Sequence, residues 1–322
     1  MKAFSLTATI LFATFFYLLF EKKNIENDFI YEIPKGASIN SVLTDLSKLK
    51  VIENPYLLNL YLYAFKKNHH IKAGEYSLND SDTSVSIFDK FINGTIYYRN
   101  ITFIEGMNFR ELMKVLDQSY GLINDLENKP EISILISLKL KDVSVEGLFY
   151  PETYFYTKYD TYSEILKRAN IQFNQKIKIL WEERMANYPL KDINEALTLA
   201  SMVEKEGVEK KEIAGVFLNR LDIGMRLQSD PTVIFAMAEK FNGNITSKDL
   251  EKNHSYNTYR IDGLPPGPIG LVSIDTFKAV LNPKTTNSLY FVSRGDGTHE
   301  FSDTLLSHNK AVQKYQQEKN DS

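Results

Sequence analysis

At 322 residues the chain is long enough for one large domain or two modest ones, each with its own core. Charged residues at 25% and hydrophobic residues at 43% exclude global disorder, and a net charge of −3 argues against nucleic-acid binding, which needs a basic excess. The absence of cysteine removes disulfides, Cys-ligated zinc and thiol nucleophiles, and His69, His70, His254, His299 and His308 follow no metal-ligand spacing, so neither metal nor cofactor is expected.

Ala3 to Phe20 carries no charge and is flanked by Lys2 and by Glu21-Lys22-Lys23. As a helix it would extend about 27 Å at ~1.5 Å per residue, close to the ~30 Å hydrocarbon layer of a bilayer. It exceeds the ~7–15 residues of a signal-peptide apolar region, and Phe-Tyr-Leu-Leu-Phe-Glu offers no small-residue cleavage site. The run therefore predicts a single-pass anchor over residues 1–24, with a cleaved signal peptide as the rival. Lysines on both sides leave the orientation open.

Beyond Asp28, Ile33-Pro34-Lys35-Gly36-Ala37-Ser38 reads as strand, turn and N-cap, with Ser38 opening a helix whose Ile39, Val42, Leu43, Leu46 and Leu49 share a face. Pro55 opens a Leu/Tyr-rich helix to about Lys67. Ala73-Gly74-Glu75-Tyr76 turns into a strand, and Ser84 to Ile92 is a further helix. The strand, Gly-turn, cap and helix pattern returns at Ile104 to Phe109. Thr161 to about Asn187 carries a long amphipathic helix. Asp192-Ile193-Asn194-Glu195 fits a capping box, and the helix it opens should end at Gly207, a C′ glycine. Lys211–Leu221 forms the next helix, and Asp230-Pro231 reads as an N-cap with proline at the first helical position. Leu264-Pro265-Pro266-Gly267-Pro268 cannot be helical. Gly295-Asp296-Gly297 joins two strands as a hairpin, and a polar helix closes the chain. This order of elements is α+β.

On the helix after Asp192, Glu204 falls within about 40° of Ala200, Leu197 and Ile193 at about 100° per residue, on the apolar stripe. Glu206 falls about 200° away, on the expected solvent side. A carboxyl on an apolar face loses hydration of its charged form, so the pKa of Glu204 should rise toward the value a general acid requires. The alternative is an amphipathic Glu at a fraying helix end, with its head in water.

Leu199-Ala200-Ser201-Met202-Val203-Glu204-Lys205-Glu206 resembles the active-site segment of the endolytic murein transglycosylases, the YceG-like family. The resemblance continues through Val216 to Leu221, Gly224 to Val233, Tyr256-Asn257-Thr258-Tyr259, Gly263 to Ile269, Leu289 to Val292 and Ser307-His308-Asn309. Glu146 to Tyr154 matches as well, so the blocks cover most of residues 146–310. Ser229 stands where family members often carry Thr, a change that keeps the hydroxyl. Ile33 to Leu49 looks like the family's LysM-like subdomain. The resemblance implies an anchor at 1–24, a LysM-like subdomain with a helical insertion at 25–105, and a mixed α+β catalytic domain at 106–322.

The family cuts the MurNAc-β-1,4-GlcNAc bond of peptidoglycan and leaves a 1,6-anhydro-MurNAc end. Carried over, Glu204 matches the catalytic glutamate. One carboxyl suffices because the tethered muramyl 6-hydroxyl replaces water as nucleophile. Gln228, Ser229, Asp230, Tyr256, Asn257, His308, Asn309 and Glu152 are the implied substrate-side residues. The alternatives are an N-cap for Asp230, a core ring for Tyr256, a turn amide for Asn257 and a structural hydrogen bond for His308. Implied partners are glycan strands, the cytoplasmic membrane and synthases of the elongation or division machinery, with the body on the extracytoplasmic side. A hydrolytic muramidase and a non-catalytic glycan-binding scaffold are the competing functions.

Overall fold

The structure is a computed structural model that describes residues 2–22, 25, 28–66, 70–140 and 144–317, without the side chains of residues 2–8, 11 and 317. Lys67 and His69 lie outside the described residues, as do Met1, Lys23 and Asn24 of the expected anchor. The architecture is mixed α+β, with helices and small two-stranded sheets. It divides into one unit of Met1–Asn100 with Phe155–Asp160, and another of Ile101–Tyr154 with Thr161–Ser322.

In the first unit, α1 (Lys2–Phe20) precedes β1 (Phe29–Ile33), which pairs antiparallel with β2 (Gly74–Leu78), Phe29 opposite Leu78. Between the strands lie α2 (Ile39–Lys48) and α3 (Pro55–Ala64), and α4 (Ser84–Asn93) follows β2. Short polar side chains set the helix starts. Ser38 accepts from Ser41 N at 3.1 Å, Asn54 accepts from Leu57 N at 3.1 Å, and Thr83 with Ser86 forms a capping box. Gly94, at φ 74°, ends α4 in the left-handed conformation that glycine adopts without a Cβ penalty. Leu46, Leu58, Leu62, Tyr76, Phe88 and Phe91 form the core, joined by Leu19 from the last turn of α1. Among the residues whose side chains are described, which leave out 2–8 and 11 of α1, no helix is long and apolar enough to cross a membrane.

Two paired strands, β3 (Arg99–Thr102) and β4 (Thr153–Tyr156), carry the chain to the second unit and back. Asn108 and Glu111 form a capping box for α5 (Phe109–Asp117), and α6 (Glu131–Leu138) follows. After β4 come α7 (Tyr162–Glu182), α8 (Ile193–Glu206), α9 (Lys210–Asp222), α10 (Asp230–Met237), the single turn α11 (Ser247–Leu250) and α12 (Ile274–Leu281). A hairpin of β5 (Tyr290–Ser293) and β6 (His299–Ser302) and then α13 (Leu305–Val312) complete the unit.

The centre of this unit is α8. Every residue from Ala196 to Val203 is buried, packed among α7, α9, α10 and α12. A helix enclosed on all sides has no solvent face, whatever its amphipathic pattern suggests. Two boundaries differ from expectation. α7 stops at Glu182 rather than near Asn187, because Met185 N donates to Leu281 O and Trp181 packs edge-on against Tyr188. Gly207 is extended at φ 171°, so it is not a left-handed cap. A Cβ there would collide with the ring of His299, which is itself buried and fixed by Glu209 through Nδ1 at 2.8 Å.

Gly207→Ala should therefore destabilise the fold by about 1–3 kcal/mol through overpacking. Urea unfolding of Gly207→Ala, His299→Ala and the double variant checks this, with the double costing less than the sum of the singles.

Candidate active site

The last turn of α8 presents three charged residues in succession, and the packing around the helix gives each a different environment. Ser201, fully buried one turn earlier, donates to Thr198 O at 2.7 Å and accepts from Ile269 N at 2.9 Å, which ties the Pro-rich segment to the helix. That segment then brings Ser273, the N-cap of α12, onto Glu204.

Glu204 does not have the environment of a proton donor. Its Oε2 accepts from Ser273 N at 2.8 Å and Ser273 Oγ at 2.7 Å, and Oε1 pairs with Lys210 Nζ at 3.0 Å. Burial alone would raise its pKa, but the bonds from Ser273, Thr276 and Lys210 reverse the sign and hold it below the usual carboxylate value. The pKa expected to rise from the apolar-stripe position is thus lowered. The wheel placed the stem correctly among apolar residues but carried no information about what meets the head.

Glu206 corrects the second half of that expectation. It does not face solvent: Leu227 to Asp230 covers this side of α8, and Ser229 Oγ donates a short hydrogen bond to Glu206 Oε1. Burial of the carboxyl, reinforced by nearby Asp230, raises its pKa to about 7 against the opposing effects of Ser229 and Arg220. Backbone geometry fixes the hydroxyl. Gln228 sits at φ 49°, an uncommon conformation for a non-glycine residue, and donates through N to Thr258 O at 3.2 Å. Ser229 N donates to Thr258 Oγ1 at 2.9 Å, and Thr232 Oγ1 donates to Ser229 O at 2.7 Å.

Arg220 supports the same segment. It is 7% exposed and donates through Nη1 to Leu227 O at 2.7 Å and through Nε to Leu289 O at 2.6 Å. Its guanidinium lies 5.4 Å from the centroid of Tyr290, and His308 stacks on that ring at 5.1 Å. Burial and Arg220 together lower the His308 pKa, and its Nδ1 is buried without a hydrogen-bond partner.

The other sequence-derived candidates divide sharply. Ser229 meets Glu206 directly. Asp230 is the first residue of α10 rather than its cap; Ser229 holds the cap position, and Asp230 Oδ1 instead accepts from Tyr259 Oη at 2.7 Å. Gln228 is exposed and contributes its backbone. Asn257, 1% exposed, donates through Nδ2 to Leu250 O at 3.0 Å and Lys252 O at 2.7 Å while Oδ1 accepts from Tyr259 N. Its amide is consumed by the turn, so the turn alternative is the observed one. Glu152 is exposed, and its carboxylate accepts from the adjacent Thr153 amide; no hydrogen bond or ion pair joins it to Glu206. Asn309 is exposed on α13.

Tyr256 is half-buried against Phe235, at 4.8 Å between ring centroids, and lines a cleft of about 1020 Å³. Phe109, Met113, Phe235 and Phe241 give that cleft an apolar lining, interrupted by Arg110, Glu146, Lys205 and His254. Lys205 and Pro231, chain neighbours of Glu206 and Asp230, are on its wall; the two glutamates of the helix end are not. Glu146, first residue of the Glu146 to Tyr154 block, also lies on this wall. Both its oxygens accept from Phe109 N, at 3.0 and 3.1 Å, and burial raises its pKa to about 7. Glu146 and Arg220 carried no periodicity signal because their partners lie far along the chain. Among the described residues, no cluster of His, Asp and Glu could hold a metal ion.

The YceG-like family matches residues 31–314. The chain is similar to the endolytic murein transglycosylase of Bacillus subtilis, 33% identical over 312 residues that span 90% of this chain and 85% of the relative. It is also similar to the endolytic murein transglycosylase of Streptococcus pneumoniae, 26% identical over 297 residues, which are 81% of this chain and 53% of that protein. The chain thus spans about half the length of the pneumococcal relative. The crystal structure of a yceG-like protein from Listeria monocytogenes superposes with a TM-score of 0.55 at 29% identity, over 88% of this chain and 99% of that one.

The two glutamates make opposite predictions for stability. A carboxyl whose pKa is raised on folding keeps its proton while the unfolded chain loses one, so it destabilises the native state as pH climbs from the ordinary glutamate value of 4.5 to about 7. For Glu206 this amounts to about 3 kcal/mol, present in full above pH ~7. Glu206→Gln should therefore gain stability relative to wild type between pH ~5 and ~8. Glu204 contributes stability that is lost as pH falls through its lowered pKa, so Glu204→Gln should lose stability at neutral pH. Urea unfolding curves at the two pH values, followed by Trp181 fluorescence, check both signs.

Proposed function

The chain belongs to the YceG-like family, and on that premise we propose that it is a lytic transglycosylase that cuts peptidoglycan glycan strands with Glu206 as the proton-transfer group. The observation that carries this assignment is the Glu206 carboxyl, enclosed beneath Ser229 with a pKa of about 7. A group half-protonated near neutral pH can both give and recover a proton in one catalytic cycle.

The cleaved bond is MurNAc-β-1,4-GlcNAc. Protonated Glu206 donates to the glycosidic oxygen as the bond to the muramyl anomeric carbon breaks. The muramyl 6-hydroxyl attacks that carbon, and Glu206, now a carboxylate, takes its proton. Glu206 ends as it began, no water is consumed, and the new end is 1,6-anhydro-MurNAc. Tethering supplies the orientation that a second carboxylate would otherwise have to provide. Ser229 orients the acid, and Arg220 holds the Leu227–Ser229 backbone that carries Ser229. Glu204, kept charged by Ser273 and Lys210, is a positioning residue that locks the end of α8. Tyr256 and Phe235 offer rings to a sugar face along the cleft.

Ala3 to Phe20 anchors the chain in the cytoplasmic membrane, with the body on the extracytoplasmic side and residues 25–105 as its LysM-like portion. Cutting there ends the growth of nascent strands made by neighbouring synthases. A hydrolytic muramidase would release reducing muramic acid ends; an idle scaffold would have no need of an enclosed, protonatable carboxyl.

Glu206→Gln should lower cleavage of purified glycan strands by about 10²–10⁴-fold while the protein stays folded. Mass analysis of wild-type products should give ends about 18 Da lighter than hydrolysed ones, because the tethered hydroxyl replaces water. Glu204→Gln should cost about 1–3 kcal/mol of stability by unpairing Lys210 and Ser273, and it should spare more activity than Glu206→Gln. Glu206→Gln protein that cuts at the wild-type rate would return the acid role to Glu204.

A further inference from the structure

The Tyr-rich helix α3 has no role in the cleft, yet its composition is unusual for a helix that packs on one side only. Leu58, Tyr61 and Leu62 point into the core of the first unit. The opposite side should be polar. It carries instead Tyr56, Leu60 and Tyr63, which are 85%, 57% and 72% exposed. At spacings of four and three residues these side chains fall within about 60° of one another on the helix. Phe65, exposed beyond the C-terminal turn, packs against Tyr61 at 4.6 Å.

Three further observations say what covers this stripe. The last turn of α1 belongs to the same core, through Leu19, and Phe20 meets Tyr61 edge-on at 6.0 Å. α3 therefore lies beside the point where the apolar α1 ends. Tyrosine, with an apolar ring and a polar tip, is the side chain suited to the boundary between hydrocarbon and water. Lysines flank both helices: exposed Lys22 follows α1 and exposed Lys66 follows α3, and each is succeeded in the sequence by another lysine, Lys23 and Lys67. Such clusters are drawn to anionic headgroups.

We infer that the Tyr56, Leu60 and Tyr63 stripe of α3 rests in the interfacial layer of an anionic phospholipid bilayer, seating the first unit against the membrane surface. The inference rests on the proposed anchoring by α1. It makes α1 and α3 a two-point attachment, one spanning and one lying in the interface, that limits tilting of the unit about its anchor.

The absence of cysteine allows a direct test. Single cysteines replace Tyr56, Leu60 or Tyr63 one at a time, so that two stripe residues always remain. Two reference sites are Phe12 in α1 and exposed Asp222 in the second unit. The full chain, nitroxide-labelled, is placed in vesicles of phosphatidylethanolamine and phosphatidylglycerol, and collision with oxygen is compared with collision with a nickel chelate. The expected result ranks Phe12 deepest, the three α3 labels at interfacial depth with oxygen favoured, and Asp222 in water. α3 labels that match Asp222 while Phe12 is deep would overturn the α3 inference and leave the anchor standing. Phe12 matching Asp222 would overturn both. α3 labels shielded from both reagents would place protein on the stripe, a second copy or another partner, and would also overturn the inference.

Discussion

A partly buried, largely desolvated carboxyl at the end of a central helix sets the terms for the second unit. Glu206 reaches its position because α8 is buried all round from Ala196 to Val203, so the chain that covers its far face must meet a carboxyl with something polar. That something is the Ser229 hydroxyl, and the surrounding structure is arranged to deliver it. Gln228 takes a left-handed conformation, Thr258 receives the Ser229 amide, and Arg220 draws the Leu227 carbonyl. One hydrogen bond is not enough to hold the carboxyl charged against burial, and the proton stays on to about pH 7. Remove the cover and the group becomes an ordinary surface glutamate.

Glu204 illustrates the contrast within a single helical turn. It is also buried, but it receives an amide, hydroxyls and an ammonium, and this larger set of partners tips the balance to the charged form. Glutamates two residues apart thus have their pKa values moved in opposite directions because their partners differ in number and charge. The charged one acts as a fastener between α8, α9 and α12. The protonatable one is available for chemistry. Glu146 repeats the Glu206 situation at the wall of the cleft, where two bonds from one backbone amide leave burial dominant.

Much of this fold was legible where the determinants are local. Ser38, Pro55 and Asp192 announce helix starts because a cap needs only a side chain and an amide three residues on, and a proline fits the first helical position. The Gly295-Asp296-Gly297 hairpin is local in the same sense. Gly207 was legible as a boundary but not in its reason, which is the His299 ring more than ninety positions away. The helical wheel failed at Glu204 and Glu206 because it assumes that the side away from the apolar stripe faces solvent, and α8 is buried all round from Ala196 to Val203 and met by Ser229 at Glu206. Asn257 lay in the right segment, yet its amide closes a turn, a use that looks identical in sequence. Arg220 and Glu146 depend on contacts with distant backbone atoms, which no short-range pattern records. The family resemblance located the segment and pointed to Glu204; the proposal of Glu206 instead rests on what meets each head group, which the resemblance does not carry.

The central claim is that Glu206 carries a proton at neutral pH, and a titration of its carboxyl tests that claim most directly. Carbon-13 NMR of glutamate-labelled protein, with the Glu206 signal identified by its loss in Glu206→Gln, follows one carboxyl across the pH range. A midpoint at about 7 is predicted, with Glu204 titrating below the ordinary carboxylate value. A Glu206 midpoint in the ordinary carboxylate range near ~4.3 would contradict the account, because the group would then be ionised and unable to donate at neutral pH.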